Sequence, residues 1–297
     1  MSLKKDYTSV KLIWITILNL IITIAEIIGG IACGSLALLS DALHNLSDTG
    51  AIIMSFIAHR ISRKNKSNTK TFGYDRAEII AAFANGITLI AICIVLFVEA
   101  LLNLKNPEPI KGNMMLIVSI IGLMANILSM FAVHNDTKKN INIKSTFVHM
   151  LSDALSSVVV VIAALIIKFW NWRWIDPVLT ILVSIFILIE ALKITYKAAN
   201  ILMESNPCID LEQVKQRILK INEIEHVHHV HLWQYSDKLI MMDAHINVSA
   251  DMKIEDLENI YVKVGQELLP LGINHITLQA ERNRGLNNNM ISNNNLD

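Results

Sequence analysis

Apolar positions along this 297-residue chain fall into two regimes. Residues 12–102 and 114–191 hold long, nearly unbroken apolar runs, whereas residues 205–284 show short runs with regular polar punctuation. A helix crossing about 30 Å of hydrocarbon needs roughly 20 mainly apolar residues. Six segments meet that test, at about 12–31, 36–58, 79–102, 114–134, 147–167 and 175–196, and each predicts a transmembrane helix. The first run is too long for a cleaved leader and ends without a small-residue cleavage pattern, so it is expected to be a true span.

The second regime begins near Ser205-Asn206-Pro207. Leu211, Val214, Ile218 and Ile221 recur at helical spacing over 210–221. Residues 227–235 and 239–248 read as strands, the latter alternating as Ile240, Met242, Ala244, Ile246 and Val248. A second helix follows over 253–268, with Ile254, Leu257, Tyr261, Val264 and Leu268 on one face, and a third strand over 273–280. The order αββαβ predicts two helices on one face of a small sheet, an α+β domain. After Arg284 the chain is Asn-rich and too poor in apolar residues for a core, so the tail is expected to be disordered. The expected domains are therefore 1–204, six spans; 205–284, a soluble unit; and 285–297, a tail.

Composition agrees with a membrane protein: 53% of residues are hydrophobic, only 18% are charged and the mean hydropathy is +0.45. Charge placement adds an orientation. Lys4, Lys5 and Lys11 precede the first span, Arg60, Arg63, Lys64, Lys66, Lys70 and Arg76 follow the second, and Lys138, Lys139 and Lys144 follow the fourth. The opposite connections hold only Lys105, Lys111, Lys168 and Arg173. By the positive-inside rule both termini face the cytoplasm of a cell-membrane protein. Trp170, Trp172 and Trp174 cluster at the other interface, where aromatic rings partition. Cys33, Cys93 and Cys208 lie far apart without a paired spacing and read as isolated thiols, two of them small hydrophobes in apolar runs. With a formal net charge of zero, no nucleic-acid partner is expected.

Ionisable side chains inside a span are costly and call for a partner or a purpose. Span two carries Asp41, His44 and Asp48, and span five carries His149 and Asp153. The spacing His-x-x-x-Asp thus occurs on two spans, and i, i+4 residues share a helix face. Facing helices then offer two nitrogens and two oxygens to one point, a tetrahedral set that suits zinc. The other intramembrane polar residues, Asn19, Glu26, Asn85, Glu99, Asn126 and Glu190, read as helix-contact groups. Asn45 sits beside the site as a candidate to orient a ligand.

The stretches Gly34-Ser35-Leu36-Ala37-Leu38-Leu39-Ser40-Asp41-Ala42-Leu43-His44-Asn45-Leu46-Ser47-Asp48, Phe72-Gly73-Tyr74-Asp75-Arg76-Ala77-Glu78, His149 to Asp153 and Trp174-Ile175-Asp176-Pro177 resemble the cation diffusion facilitator family over nearly the whole length. That resemblance implies a homodimer that moves a divalent cation out of the cytoplasm against protons. It also implies a metallochaperone-like cytoplasmic domain, and it places His-and-Asp pairs with the zinc-preferring branch, which often tolerates cadmium or cobalt. Imidazole donors point the same way, since manganese suits oxygen-rich sites. The resemblance further implies a cytoplasmic zinc site at His228, His231, His245 and Glu281, with His275 a weaker candidate. Such a site would sense metal by stabilising one dimer state. Some members carry an additional Asp/His site between spans two and three. Residues 60–71 contain neither residue, so no such site is expected, and His59 reads as interfacial.

The function expected is a proton-coupled zinc antiporter using His44, Asp48, His149 and Asp153, where protons and metal compete for the same donors. No G-x-x-x-x-G-K-[ST] loop is present, so nucleotide is not expected to drive it. A membrane metalloenzyme would want a segment such as His-Glu-x-x-His, which is absent, and an open coordination position. The alternative is a membrane-anchored zinc sensor whose metal binding resides in the soluble domain.

Overall fold

A computed structural model describes the backbone of residues 2–134, 141–249 and 251–291, and side chains over 16–132, 147–148, 150–249 and 251–291. Six long helices come first: α1 (Ser2–Cys33), α2 (Leu36–Ser62), α3 (Arg76–Lys105), α4 (Gly112–His134), α5 (Ile141–Trp170) and α6 (Ile175–Leu202). Five of them, all but α2, are long and apolar enough to cross a membrane. The reason α2 falls short is its own sequence, in which Ser40, Asp41, His44, Asn45, Ser47 and Asp48 dilute the apolar residues. The chain is therefore a helical membrane protein in which the most polar long helix carries the residues of chemical interest.

Packing in the membrane unit (residues 1–57 and 81–195) follows the rules of helices in lipid. Large side chains such as Ile28, Leu128, Leu155 and Phe186 point outward. The buried positions of α5 are small, with Ala163 and Ala164 packed beside Cys33, Leu38 and Met115. Small residues let backbones approach closely where no hydrophobic force separates helix from lipid.

One capping interaction joins two of the sequence's most distinctive stretches. The Asp176 carboxylate, at the start of α6, accepts hydrogen bonds from the Leu36 amide at 2.8 Å and the Ala37 amide at 3.3 Å, and from the Ser35 hydroxyl. Ser35 Oγ in turn accepts from the Leu38 amide at 3.1 Å. The first turn of a helix has amide donors without intrahelical partners, and here a carboxylate from another helix satisfies them. Asp176 is buried, so the bond fixes the start of α2 against α6.

The C-terminal unit comprises residues 58–80 and 196–297. Its elements are α7 (Leu211–Ile218), β1 (Ile224–Ser236), β2 (Leu239–Val248), α8 (Ile254–Leu268) and β3 (Ile273–Glu281). The strands form one sheet in the order β1-β2-β3, with β1 antiparallel and β3 parallel to β2. Asp210 caps α7 by accepting from the Glu212 amide at 3.0 Å. Val214 and Ile218 of α7 and Ile260, Val264 and Leu268 of α8 share one core with Val227, Met242, Ile246 and Ile273 of the sheet. That leaves the opposite sheet face for polar side chains.

Two differences from the sequence reading are physical. Helix α7 is shorter than 210–221, and β1 runs beyond both ends of 227–235. The Asn-rich tail, expected to lack structure, meets β1 over its described part: the Val230 amide donates to the Met290 carbonyl at 2.7 Å. Residues 292–297 lie outside the described residues.

Replacing Asp176 by Ala removes the acceptor of three buried donors, and each buried donor left unsatisfied costs about 1–3 kcal/mol. We expect a clear loss of thermal stability in detergent, read by fluorescence-detected gel filtration after heating. Asp176→Asn, which keeps an acceptor oxygen, should lose less.

Candidate metal centres

In the membrane unit, His44 and Asp48 stand one turn apart on α2, with His44 Nε2 3.5 Å from Asp48 Oδ2. Asp153 of α5 joins them, and one donor atom from each of the three lies within 4.8 Å of the others. His149 lies on α5 one turn before Asp153, but its side chain is outside the described residues. A cavity of about 360 Å³ opens beside the cluster. Its lining combines His44, Ser152, Asp153 and Ser156 with apolar side chains of α6 such as Leu182 and Phe186. The wall of this cavity thus presents a converging set of nitrogen and oxygen donors.

Behind this cluster is a clamp to which the sequence reading assigned no role. Asp41, buried, accepts from Ser156 Oγ at 2.6 Å and Ser157 Oγ at 3.1 Å. Asn126 of α4 donates to Ser157 Oγ at 3.0 Å. The clamp ties α2 to α5, the two helices that carry the donors, and so sets their register. Its sequence signal was a second acid on the same span, three residues before His44. Asn45, considered as a ligand-orienting residue, instead hydrogen-bonds Glu26 of α1.

The second cluster is on the face of the small sheet opposite the two helices. Register places His228 of β1 opposite His245 of β2, and Asn247 of β2 opposite Glu281 of β3. His228 Nε2 lies 3.3 Å from one Glu281 oxygen, and His245 Nδ1 lies 3.3 Å from the other. The three supply donor atoms within 4.8 Å of one another. Burial is the larger influence on both imidazoles and pulls their pKa values below the usual 6.5, with the Glu281 carboxylate acting in the opposite direction. Both rings are therefore neutral at pH 7, the form that coordinates metal.

The sequence reading grouped His231 with these three, and the structure separates it. The ladder shifts register between His228 and His231, and His229 takes a left-handed φ of 50°. Such a β-bulge inserts an extra residue and re-aims its neighbours. His231 Nε2 consequently lies 3.3 Å from His229 Nε2, and the His229 ring stacks on His245 at 4.6 Å between centroids. His275 is also outside the cluster, with its ring edge-on to Phe72 at 6.2 Å. Sequence reasoning missed the tail's involvement as well. His226 Nε2 is 3.0 Å from the Asn288 carbonyl oxygen. Gly285, at a φ of 68°, presses so closely on the His228 ring that any β-carbon there would overlap it.

Fold and sites together define a multi-pass membrane protein with one cluster of candidate metal donors among its helices and another on a C-terminal domain. Comparison with known proteins narrows that class. Residues 12–203 match the cation efflux transmembrane domain, and residues 207–283 match the cation efflux protein cytoplasmic domain. The chain is 39% identical over 261 residues to the cadmium, cobalt and zinc/H(+)-K(+) antiporter of Bacillus subtilis, covering 87% of this chain and 84% of the relative. It is 37% identical to the zinc transporter ZitB of Escherichia coli, covering 87% of this chain and 82% of the relative. It is 31% identical to the metal cation efflux system protein CzcD of Cupriavidus metallidurans, again covering 87% and 82%. The protein belongs to the cation efflux, or cation diffusion facilitator, family.

The lowered pKa values of His228 and His245 have a stability consequence. Because the folded state binds these protons less readily than the unfolded chain, metal-free protein should hold its full stability above pH 6.5 and lose it as pH falls below that value. Thermal unfolding of the metal-free protein across that range checks the sign. His228→Ala should flatten the acid side of the profile.

Proposed function

We propose that the protein exports zinc, with cadmium or cobalt as further substrates, from the cytoplasm in exchange for protons. The carrying observation is the convergence of His44, Asp48 and Asp153 from two helices beside the 360 Å³ cavity. His149 completes a four-donor set of two imidazoles and two carboxylates. Imidazole nitrogens and carboxylate oxygens suit four-coordinate zinc, and the substrates named for the Bacillus subtilis antiporter and for ZitB support that choice. In this reading α2 also crosses the membrane, which brings the spans to six, both termini are cytoplasmic and the transporting unit is a homodimer in a lipid bilayer.

Exchange follows from the donors themselves. Zinc needs neutral imidazole and ionised carboxylate, so every metal that loads displaces protons, and protons arriving from the other side displace metal. Histidine suits that competition because its ordinary pKa lies near 6.5. Asp41 and its serines hold α2 and α5 in register, so that the donors converge without searching.

The soluble cluster fits a resident zinc ion. His228, His245 and Glu281 offer two nitrogens and one carboxylate, and the Nδ1 atoms of His228 and His245 and one Glu281 oxygen are buried without a hydrogen-bond partner among the described residues. When bound there, zinc would supply cross-linking of β1, β2 and β3. The chain's own residues position the three donors and keep both imidazoles neutral.

The test is zinc uptake into proteoliposomes under an imposed pH gradient. Uptake should follow the gradient in the wild type and fall to background in His149→Ala and Asp153→Ala. Full activity in either variant would overturn the four-donor site. Gradient-independent zinc binding that survives both substitutions would transfer the function to the soluble domain and support a sensor.

A further inference from the structure

Glu26 is a charged-type side chain that the proposed transport site does not use. It lies in the C-terminal third of α1, is only 2% exposed, and its Oε2 has no hydrogen-bond partner among the described residues. The described helices meet it from two directions. From α4 comes Gly122, whose missing side chain makes the space that the Glu26 carboxyl fills, since a β-carbon there would overlap Oε1. From α2 come the Asn45 amide, which hydrogen-bonds the carboxyl, and the charge of the Asp41 carboxylate, which acts on it.

The electrostatics of that arrangement are one-sided. Asp41 is itself 2% exposed and takes two serine hydroxyl bonds, so its oxygens are supplied as an anion's would be. Among the described residues neither carboxylate meets a lysine or arginine. The titratable group that acts on the pair from α2 is His44, while α4 has none over 112–132. Two carboxyl groups whose charges act on each other away from water cannot both ionise without a counter-charge. Of the two, Asp41 has the donors an anion requires, and Glu26 has a buried oxygen with no donor to it among the described residues.

We propose that Glu26 is a separate proton-binding site, paired with Asp41, that carries a counter-transported proton independently of the zinc donors. It rests on the zinc–proton exchange proposed above. The proton sits on the Glu26 carboxyl while the metal cluster is unloaded. As zinc enters, Glu26 releases that proton to the water from which the zinc came, and takes another from the opposite side once the metal leaves. Ser156 links the two sites physically: it lines the cavity beside His44 and Asp153, and its hydroxyl donates to Asp41. A shift of α5 on metal loading would therefore change what Asp41 holds, and with it the partner of Glu26.

The experiment measures protons moved per zinc in proteoliposomes, by a lumenal pH dye together with zinc flux, for wild type, Glu26→Gln and Glu26→Asp. Zinc–zinc exchange at equal pH serves as the second readout. Since each titrating donor contributes one proton to the linkage, Glu26→Gln should keep zinc–zinc exchange and move about one proton fewer per zinc. Glu26→Asp should recover the wild-type count. A wild-type proton count in Glu26→Gln overturns the inference, as does a count left unchanged while a potassium dependence disappears. Loss of zinc–zinc exchange in a properly folded Glu26→Gln protein overturns it too, because it would make Glu26 part of the metal path. A wild type that moves zinc without protons would instead sink the exchange reading itself.

Discussion

Removing a carboxylate from water is the cost around which the membrane unit is arranged. Asp41 is the clearest case, because it is buried between helices and accepts from two serines of α5. Without those donors a charged group at that depth would force water in or push the helix aside. With them, the same group becomes a register pin. The converging candidate donors, His44, Asp48 and Asp153, sit within a few positions of the pin on the two helices it joins. Asp176 repeats the logic at the start of α2, where an acid on another helix satisfies the amides that a helix start leaves open. The polar groups in this unit are therefore as much structural as functional.

The C-terminal domain reaches a comparable result by different means. Its core is a single apolar cluster between two helices and one sheet face, and the other face is left to chemistry. In a regular strand successive side chains alternate between faces, so His228, His229 and His231 could not all be placed on one side. The register shift within β1, with His229 at a φ of 50°, breaks the alternation and gathers extra imidazoles near His245. Such bulges are features that re-aim side chains next to functional sites. The Gly285 backbone closes over His228 at a position where no larger residue fits.

Much of this was legible in the sequence, for identifiable reasons. Long helices announce themselves by uninterrupted hydropathy, and the αββαβ order by a change of period from 3.6 to 2. The pairing of His44 with Asp48 followed from helical spacing alone, and the His228, His245 and Glu281 grouping from the family resemblance. What escaped depends on contacts across the chain. The Ser35–Asp176 bond spans 141 residues, and no local pattern encodes it. Asn45 looked like a neighbour of the metal donors, yet a helix turns by 100° per residue, and its amide faces Glu26 instead. The bulge that removes His231 from the cluster inserts one residue into a ladder, a register change that the strand's own alternation conceals. The tail was judged by its composition, which is blind to backbone bonding such as that between Val230 and Met290.

These observations also bear on why a donor set of mixed nitrogen and oxygen would serve exchange. A site of carboxylates alone would hold its charge down to acidic pH, so protons near neutrality would compete poorly for it. Imidazoles change protonation close to neutrality, and so a modest difference in pH across the membrane alters how many donors are open to metal. The cost is that two histidines and two acids carry little surplus charge once a divalent ion has bound, which limits how many protons the donors alone can trade. In the arrangement proposed for Glu26 and Asp41, a buried carboxyl pair linked to the donors through Ser156 would raise that number without adding a ligand. Separating the two tasks lets the metal donors be shaped for the cation while the coupling ratio is set elsewhere in the helix packing.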